Sequence, residues 1–227
     1  MEDNAITISV RDVKRAYRSG GATFWALKGI SLEINPGTLT ILRGRSGSGK
    51  TTLMNVIGAL DEPTEGKVIY GERDITRIGD SERDALRRRS VGFVFQSVAL
   101  IPTMNAYENV EFPLRVAGRV QGARVDECLR LVGLSSRSKH MPQELSGGEQ
   151  QRVAIARAIA HKPAIVFADE PTAELDTQTA MQVAKIFRDL VDKEKMTIVM
   201  ATHDSSLLDI ADNVCFMEDG RIVEDDS

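Results

Sequence analysis

The stretch "TLTILRGRSGSGKTT" (38–52) constrains this chain more than any other. A short β-branched run leads directly into Gly44-x-x-x-x-Gly49-Lys50-Thr51, and a helix-forming segment follows, expected to run to about Ala59. Strand, glycine-rich loop and helix together are the setting in which such a loop binds phosphate. The glycines let backbone N–H groups turn inward, and the helix start adds positive potential. Gly44, Ser46, Gly47, Ser48, Gly49 and Thr52 belong to this cradle. Lys50 is placed to reach the β and γ phosphates of a nucleotide, and the Thr51 hydroxyl to ligate Mg²⁺. A merely flexible surface loop would explain a lone Gly-x-Gly. It does not explain the full motif between a strand and a helix.

The rest of the chain fits an α/β fold. "ITISV", "ISLEI", "TLTILR" and "KVIY" make the first ~75 residues β-rich, with turn residues such as Asn35-Pro36-Gly37 between them. "VGFVF" (91–95), "AIVFA" (164–168) and "TIVMAT" (197–202) read as further strands. The last two are apolar throughout, as in parallel strands buried on both faces. Helical segments lie between them, including "AYENVEFPLRVAG", "RVDECLRLVG" and one at about 177–191. "NVCFMEDGRIVE" reads as a hairpin turning at Asp219-Gly220. No Pro/Gly/Ser-rich linker divides the 227 residues. A single domain over 1–227 is expected, with a helical subdomain at roughly 97–162.

The strand ending at 168 is followed by Asp169-Glu170-Pro171. An apolar run closed by aspartate is the partner of a phosphate-binding loop, with Asp169 completing the Mg²⁺ shell. Glu170 is placed to orient and deprotonate an attacking water. Taken alone, the same residues would simply mark a strand end before a proline turn. His203 closes the next buried strand, and ligands of open α/β sheets sit beyond the carboxyl ends of strands. It can face the same crevice as Glu170 or serve as a structural histidine. Gln96 follows "VGFVF" and can ligate the metal or hold the water.

A second anion-binding pattern stands at "LSGGEQQR" (145–152). Ser146 and Glu149 have capping-box spacing, which explains a good helix start. It does not explain Gly147 and Gly148, each of which costs up to about 1 kcal/mol relative to alanine in a helix. Two glycines make sense if an anionic group approaches the backbone closely. The chain's own loop already cradles a nucleotide, so the second site is expected to act on the nucleotide held by another copy.

"GRSGSGKT", Gln96, "LSGGEQQR", "IVFADE" and His203 stand in the order and approximate spacing of the ATP-binding-cassette ATPases. The resemblance spans nearly the whole chain. "ALKGISLEI", "RRRSVGFVFQSVALIPTMNAYENVEFPL" and "ELSGGEQQRVAIARAI" resemble the subfamily that powers lipoprotein release and macrolide or peptide export. The resemblance implies a P-loop NTPase nucleotide-binding domain with a β-rich N-terminal part, a mostly parallel core sheet and an inserted helical subdomain. It also implies MgATP hydrolysis and a head-to-tail pair of copies, each ATP lying between the phosphate loop of one and the Ser146–Gly148 helix start of the other. A transmembrane permease is the implied partner, meeting the surface of 97–118, with the chain peripheral on the inner face of the cell membrane. Tyr17 is the implied adenine-stacking residue, with Phe24 and Trp25 as neighbours able to take that role. "ELD" (174–176) resembles the loop that communicates between the two sites. Ala173-Glu174 depart from the family pattern there.

Charge and composition bear on the alternatives. The net charge of −4 and the single dense basic cluster, "RDALRRRS" (83–90), which reads as a solvated helix face, argue against nucleic acid as partner. A soluble cassette ATPase acting on nucleic acid or ribosomes would be expected to carry an insertion or a second cassette. A small kinase or GTPase has no use for "LSGGEQQR". No segment reaches the ~20 apolar residues of a membrane span, and "MEDNAITISV" is not a secretory signal. Cys128 and Cys215 lack metal or redox spacing, which fits a cytoplasmic setting with free thiols.

Overall fold

A computed structural model describes residues 6–224. Residues 1–5, the first half of the stretch read as no secretory signal, lie outside them. The elements run β1 (Ile8–Ser19), β2 (Ala22–Ile34), β3 (Leu39–Arg43), α1 (Lys50–Ile57), β4 (Glu65–Tyr70), β5 (Arg73–Asp74), α2 (Asp80–Ser90), β6 (Val91–Val94) and α3 (Ala106–Val116). They continue with α4 (Gly122–Leu131), α5 (Gly147–Ile159), β7 (Ile165–Asp169), α6 (Thr177–Glu194), β8 (Thr197–Thr202), β9 (Asn213–Glu218) and β10 (Arg221–Val223).

The strands form two sheets. One is antiparallel, in the order β2-β1-β4-β5. The other has the order β10-β9-β3-β8-β7-β6. In it β9, β3, β8, β7 and β6 pair in parallel, and only β10 runs antiparallel, at the edge. The α/β class and the mostly parallel sheet are therefore as the sequence indicated. The hairpin turn at Asp219-Gly220 is as well. Both its central residues have positive φ, 46° and 76°, as a two-residue turn between right-twisted strands requires.

The parallel sheet separates two hydrophobic cores, and strand alternation assigns residues to them. Val166, Ala168, Ile198 and Met200 face a core shared with α3, α4, α5 and α6. Ile165, Phe167, Val199 and Ala201 face the other, shared with α1 and the antiparallel sheet. Burial on both faces is the reason these strands are apolar throughout.

Several elements differ from the sequence reading. β1 and β2 are long strands of 12 and 13 residues. Their polar, half-exposed halves carry no clean alternation. Helix α1 stops at Ile57 because Gly58 caps it and Ala59 turns to a φ of 57°. The basic cluster lies on α2, and Arg88 and Arg89 are solvated as expected. Arg83 is not: it is buried against Glu62, with its Nη2 2.7 Å from Oε1.

Candidate active site

The carboxyl ends of β3, β7 and β8 bring the motif residues into one cleft of ≈ 690 Å³. It is lined by Arg45, Ser46, Gly47, Gly49, Lys50, Thr51, Thr52, Gln96, Asp169, Glu170 and His203, with Tyr17 and Phe24 at its β1–β2 side. Parallel register sets this meeting. Asp169 stands opposite Ala201 on β8, and Arg43, just before the loop, opposite Thr202.

The loop is tightly built. Gly49, immediately before α1, has a φ of 104°, a conformation costly for any residue with a Cβ. A Cβ at Gly44 would collide with the carbonyl oxygen of Met217. Lys50 is buried, and its ammonium donates to the carbonyl oxygens of Gly44 at 2.7 Å and Arg45 at 3.1 Å. Its Nζ also lies 3.7 Å from Glu170 Oε1. The lysine thus spans the loop and points its charge at the carboxylate end of β7. Ser48 Oγ is buried without a hydrogen-bond partner.

Thr51 and Asp169 are already paired, Thr51 Oγ1 donating to Asp169 Oδ2 at 2.8 Å. The other carboxylate oxygen, Asp169 Oδ1, is buried and has no partner. Burial pushes the Asp169 carboxyl above its usual range, with the Thr51 hydroxyl working against that shift. A hydroxyl and a carboxylate with one buried, unsatisfied oxygen fit a hard divalent cation such as Mg²⁺, which prefers oxygen ligands. No metal geometry beyond that donor set is needed for the fit.

Glu170 has a left-handed backbone, with a φ of 46°. A non-glycine residue there costs of order 1–3 kcal/mol and persists only where its surroundings impose it. Here its N–H donates to the Ala201 carbonyl at 3.0 Å. The twist turns its side chain toward His203, whose Nδ1 donates to Glu170 Oε2 at 2.8 Å. His203 is 67% exposed. It is also one of the residues that line the cleft.

Of the three aromatic residues, Tyr17 and Phe24 line the cleft and Trp25 does not. Tyr17 and Phe24 are cross-strand partners in the β1–β2 register, so they share a face, while Trp25 alternates to the other. The Tyr17 ring already carries the Arg15 guanidinium 4.6 Å from its centroid, and its hydroxyl donates to Asp61 at 2.8 Å. Arg15 and Asp61 were not legible as part of this region. Their ion pair at 2.6 Å spans 46 residues of sequence.

Ser146, Gly147 and Gly148 line no part of the cleft in their own chain. The capping box is formed: Ser146 Oγ accepts from the Glu149 N–H at 3.2 Å, and Glu149 Oε2 accepts from the Ser146 N–H at 2.9 Å. The Ser146 N–H above all, with the Ser146 side chain and the Arg137 guanidinium, holds the Glu149 carboxyl below its usual range. The two glycines separate. A Cβ at Gly148 would collide with Thr179 Cγ2 on α6, so packing within the chain accounts for that glycine. At Gly147 the nearest atom to such a Cβ is Leu175 Cδ2 at 3.9 Å. Gly147 is the glycine that leaves its backbone open to an outside group.

The "ABC transporter" family model matches residues 27–173. The macrolide export ATP-binding/permease protein MacB of Syntrophobacter fumaroxidans is 43% identical over 220 residues, covering 95% of this chain. This chain spans only 31% of that relative's length. The lipoprotein-releasing system ATP-binding protein LolD of Acinetobacter baylyi is 40% identical over 223 residues, with 96% of this chain and 98% of the relative covered. Among solved structures, the dimeric post-hydrolysis state of the ATP-binding cassette MJ0796, from Methanocaldococcus jannaschii, bound to ADP and Pi, matches with a TM-score of 0.88 and 38% identity. That match covers 96% of this chain and 97% of the other.

Proposed function

The chain belongs to the ABC transporter family, and from that premise we propose that it is the ATP-hydrolysing subunit of a membrane export or lipoprotein-release machine. In this reading two copies close head to tail around two MgATP. Lys50 and the loop N–H groups bind the phosphates, Thr51 and Asp169 hold magnesium, and Gln96 holds the metal or the water. A divalent cation there offsets phosphate charge. Glu170 takes a proton from the attacking water, and His203 positions Glu170 and contacts the γ-phosphate. Tyr17 or Phe24 stacks on the adenine. ATP performs work because it binds the closed pair better than the open one.

The observation that carries the trans arrangement is the separation of the two phosphate sites. The Ser146–Gly147 helix start leaves its backbone exposed, yet stands outside its own chain's cleft. Ser146→Arg tests it. In a Glu170→Gln background the variant is expected to bind ATP but to lose the ATP-driven dimer peak in gel filtration. The lost cap costs about 0.5–2 kcal/mol of helix stability, which leaves the monomer folded. An undiminished dimer peak would mean that this helix start does not complete the partner's site.

The partner reading rests on a second feature. No helix among the described residues is long and apolar enough to cross a membrane. Between α2, β6, α3 and α5 lies an apolar groove of ≈ 450 Å³, lined by Phe95, Ile101, Phe112, Pro113 and Val116 among others. Phe112 and Val116 are 39% and 48% exposed, a clustering that marks a contact surface. Within the 97–118 surface, Leu114 is core and Tyr107 packs against that core. The groove, lined largely by the helical subdomain proposed for 97–162, receives the permease. It holds the chain to the inner face of the membrane, and nucleic acid has no part in the cycle. Phe112→Asp is expected to abolish permease-stimulated hydrolysis and co-purification while basal turnover persists. Retained stimulation would place the docking surface elsewhere.

A further inference from the structure

Two exposed, oppositely charged side chains flank the cleft: Arg45 in the phosphate-binding loop and Glu174 in the loop between β7 and α6. Neither side chain has a hydrogen-bond or ion-pair partner among the described residues. Arg45 is itself one of the residues that line the cleft. Ala173, next to Glu174, lines the cleft. Leu175, on its other side, abuts Gly147, within 3.9 Å of where a Cβ would stand. The 173–175 loop and the second helix start therefore form one continuous patch.

Given the head-to-tail pair proposed above, that patch moves as a unit. When Ser146 and Gly147 settle over the partner's phosphates, Glu174 is carried to the rim of the partner's phosphate loop. The cationic side chain exposed on that loop, apart from the buried Lys50, is Arg45. We propose that Glu174 of each copy forms an ion pair with the partner's Arg45, giving two symmetric pairs per closed dimer. A two-fold interface makes each contact twice. Such pairs favour the productive orientation by charge complementarity, and salt screens them. They give Glu174, which departs from the family pattern, a specific partner.

The test uses charge reversal in the Glu170→Gln background with ATP. Glu174→Arg alone and Arg45→Glu alone are each expected to raise the dimer dissociation constant by roughly tenfold, since each replaces two attractive exposed pairs by repulsive ones. Mixing the two single variants is expected to restore dimerisation. In the mixed dimer the introduced arginine of one copy meets the introduced glutamate of the other, and the remaining site keeps the native pair. A contact within one chain predicts no rescue on mixing. As a measurement independent of ATP affinity, Arg45→Cys and Glu174→Cys copies, both carrying Cys215→Ser, are mixed with ATP and mild oxidant. A disulfide-linked mixed dimer is expected. Single reversals that dimerise like the parent, or no cross-linked dimer, would overturn the pair while leaving the head-to-tail arrangement standing. A parent that forms no ATP-dependent dimer would remove both.

Discussion

Glu170→Gln is expected to leave ATP binding intact and to slow hydrolysis by ~10²-fold or more, the scale of a general-base contribution. The reasoning starts from shape. Glutamine matches glutamate in size, so the left-handed turn at φ 46° and its N–H bond to Ala201 persist. An amide oxygen still accepts from His203 Nδ1, now 2.8 Å from Oε2. What is lost is the capacity to take a proton. The variant also removes the negative charge 3.7 Å from Lys50 Nζ. That frees the ammonium for phosphate and favours an ATP-loaded, closed dimer. Single-turnover hydrolysis and gel filtration with ATP read the two effects separately. Unchanged turnover would exclude Glu170 as the base.

Lys50→Ala is expected to raise the dissociation constant for MgATP by ~10²-fold or more, with hydrolysis falling below detection. A hydrogen bond to a charged group contributes about 1.5–3 kcal/mol, and the ammonium faces more than one phosphate oxygen. The lysine also holds the loop shut through the carbonyls of Gly44 and Arg45, so the cradle loosens as the charge disappears. Calorimetry on the purified chain measures the affinity, and thermal unfolding checks that the fold survives. An affinity like that of the parent would remove Lys50 from phosphate binding.

Both variants lie in motifs that are local in sequence. The phosphate loop, the Asp169-Glu170 pair and the Ser146 capping box depend on backbone conformation and spacing over fewer than ten residues. Such features can be read without knowing what lies opposite. The buried strands are legible for the same reason: a strand covered on both faces must be apolar at every position, and β7 and β8 are. The long β1–β2 ribbon was only partly legible, because its outer half is polar and held by cross-strand hydrogen bonds rather than by a hydrophobic pattern. Arg83 was misplaced on a solvated face because its partner, Glu62, sits on another segment.

The sequence by itself determined the α/β class, the position of the phosphate loop, the acid pair beyond β7, and a second helix start with a serine cap followed by two glycines. Each follows from periodicity or from what a backbone needs locally. Only the tertiary structure set Trp25 apart from Tyr17 and Phe24, because strand register puts those two at the cleft. Only it separated the two glycines, since Gly148 is fixed by Thr179 on α6, thirty-one residues further along the chain, and Gly147 is not. And only it joined Glu170 to His203 across 33 residues. In each case the deciding contact lies between segments distant in sequence, and the fold alone sets how close they come.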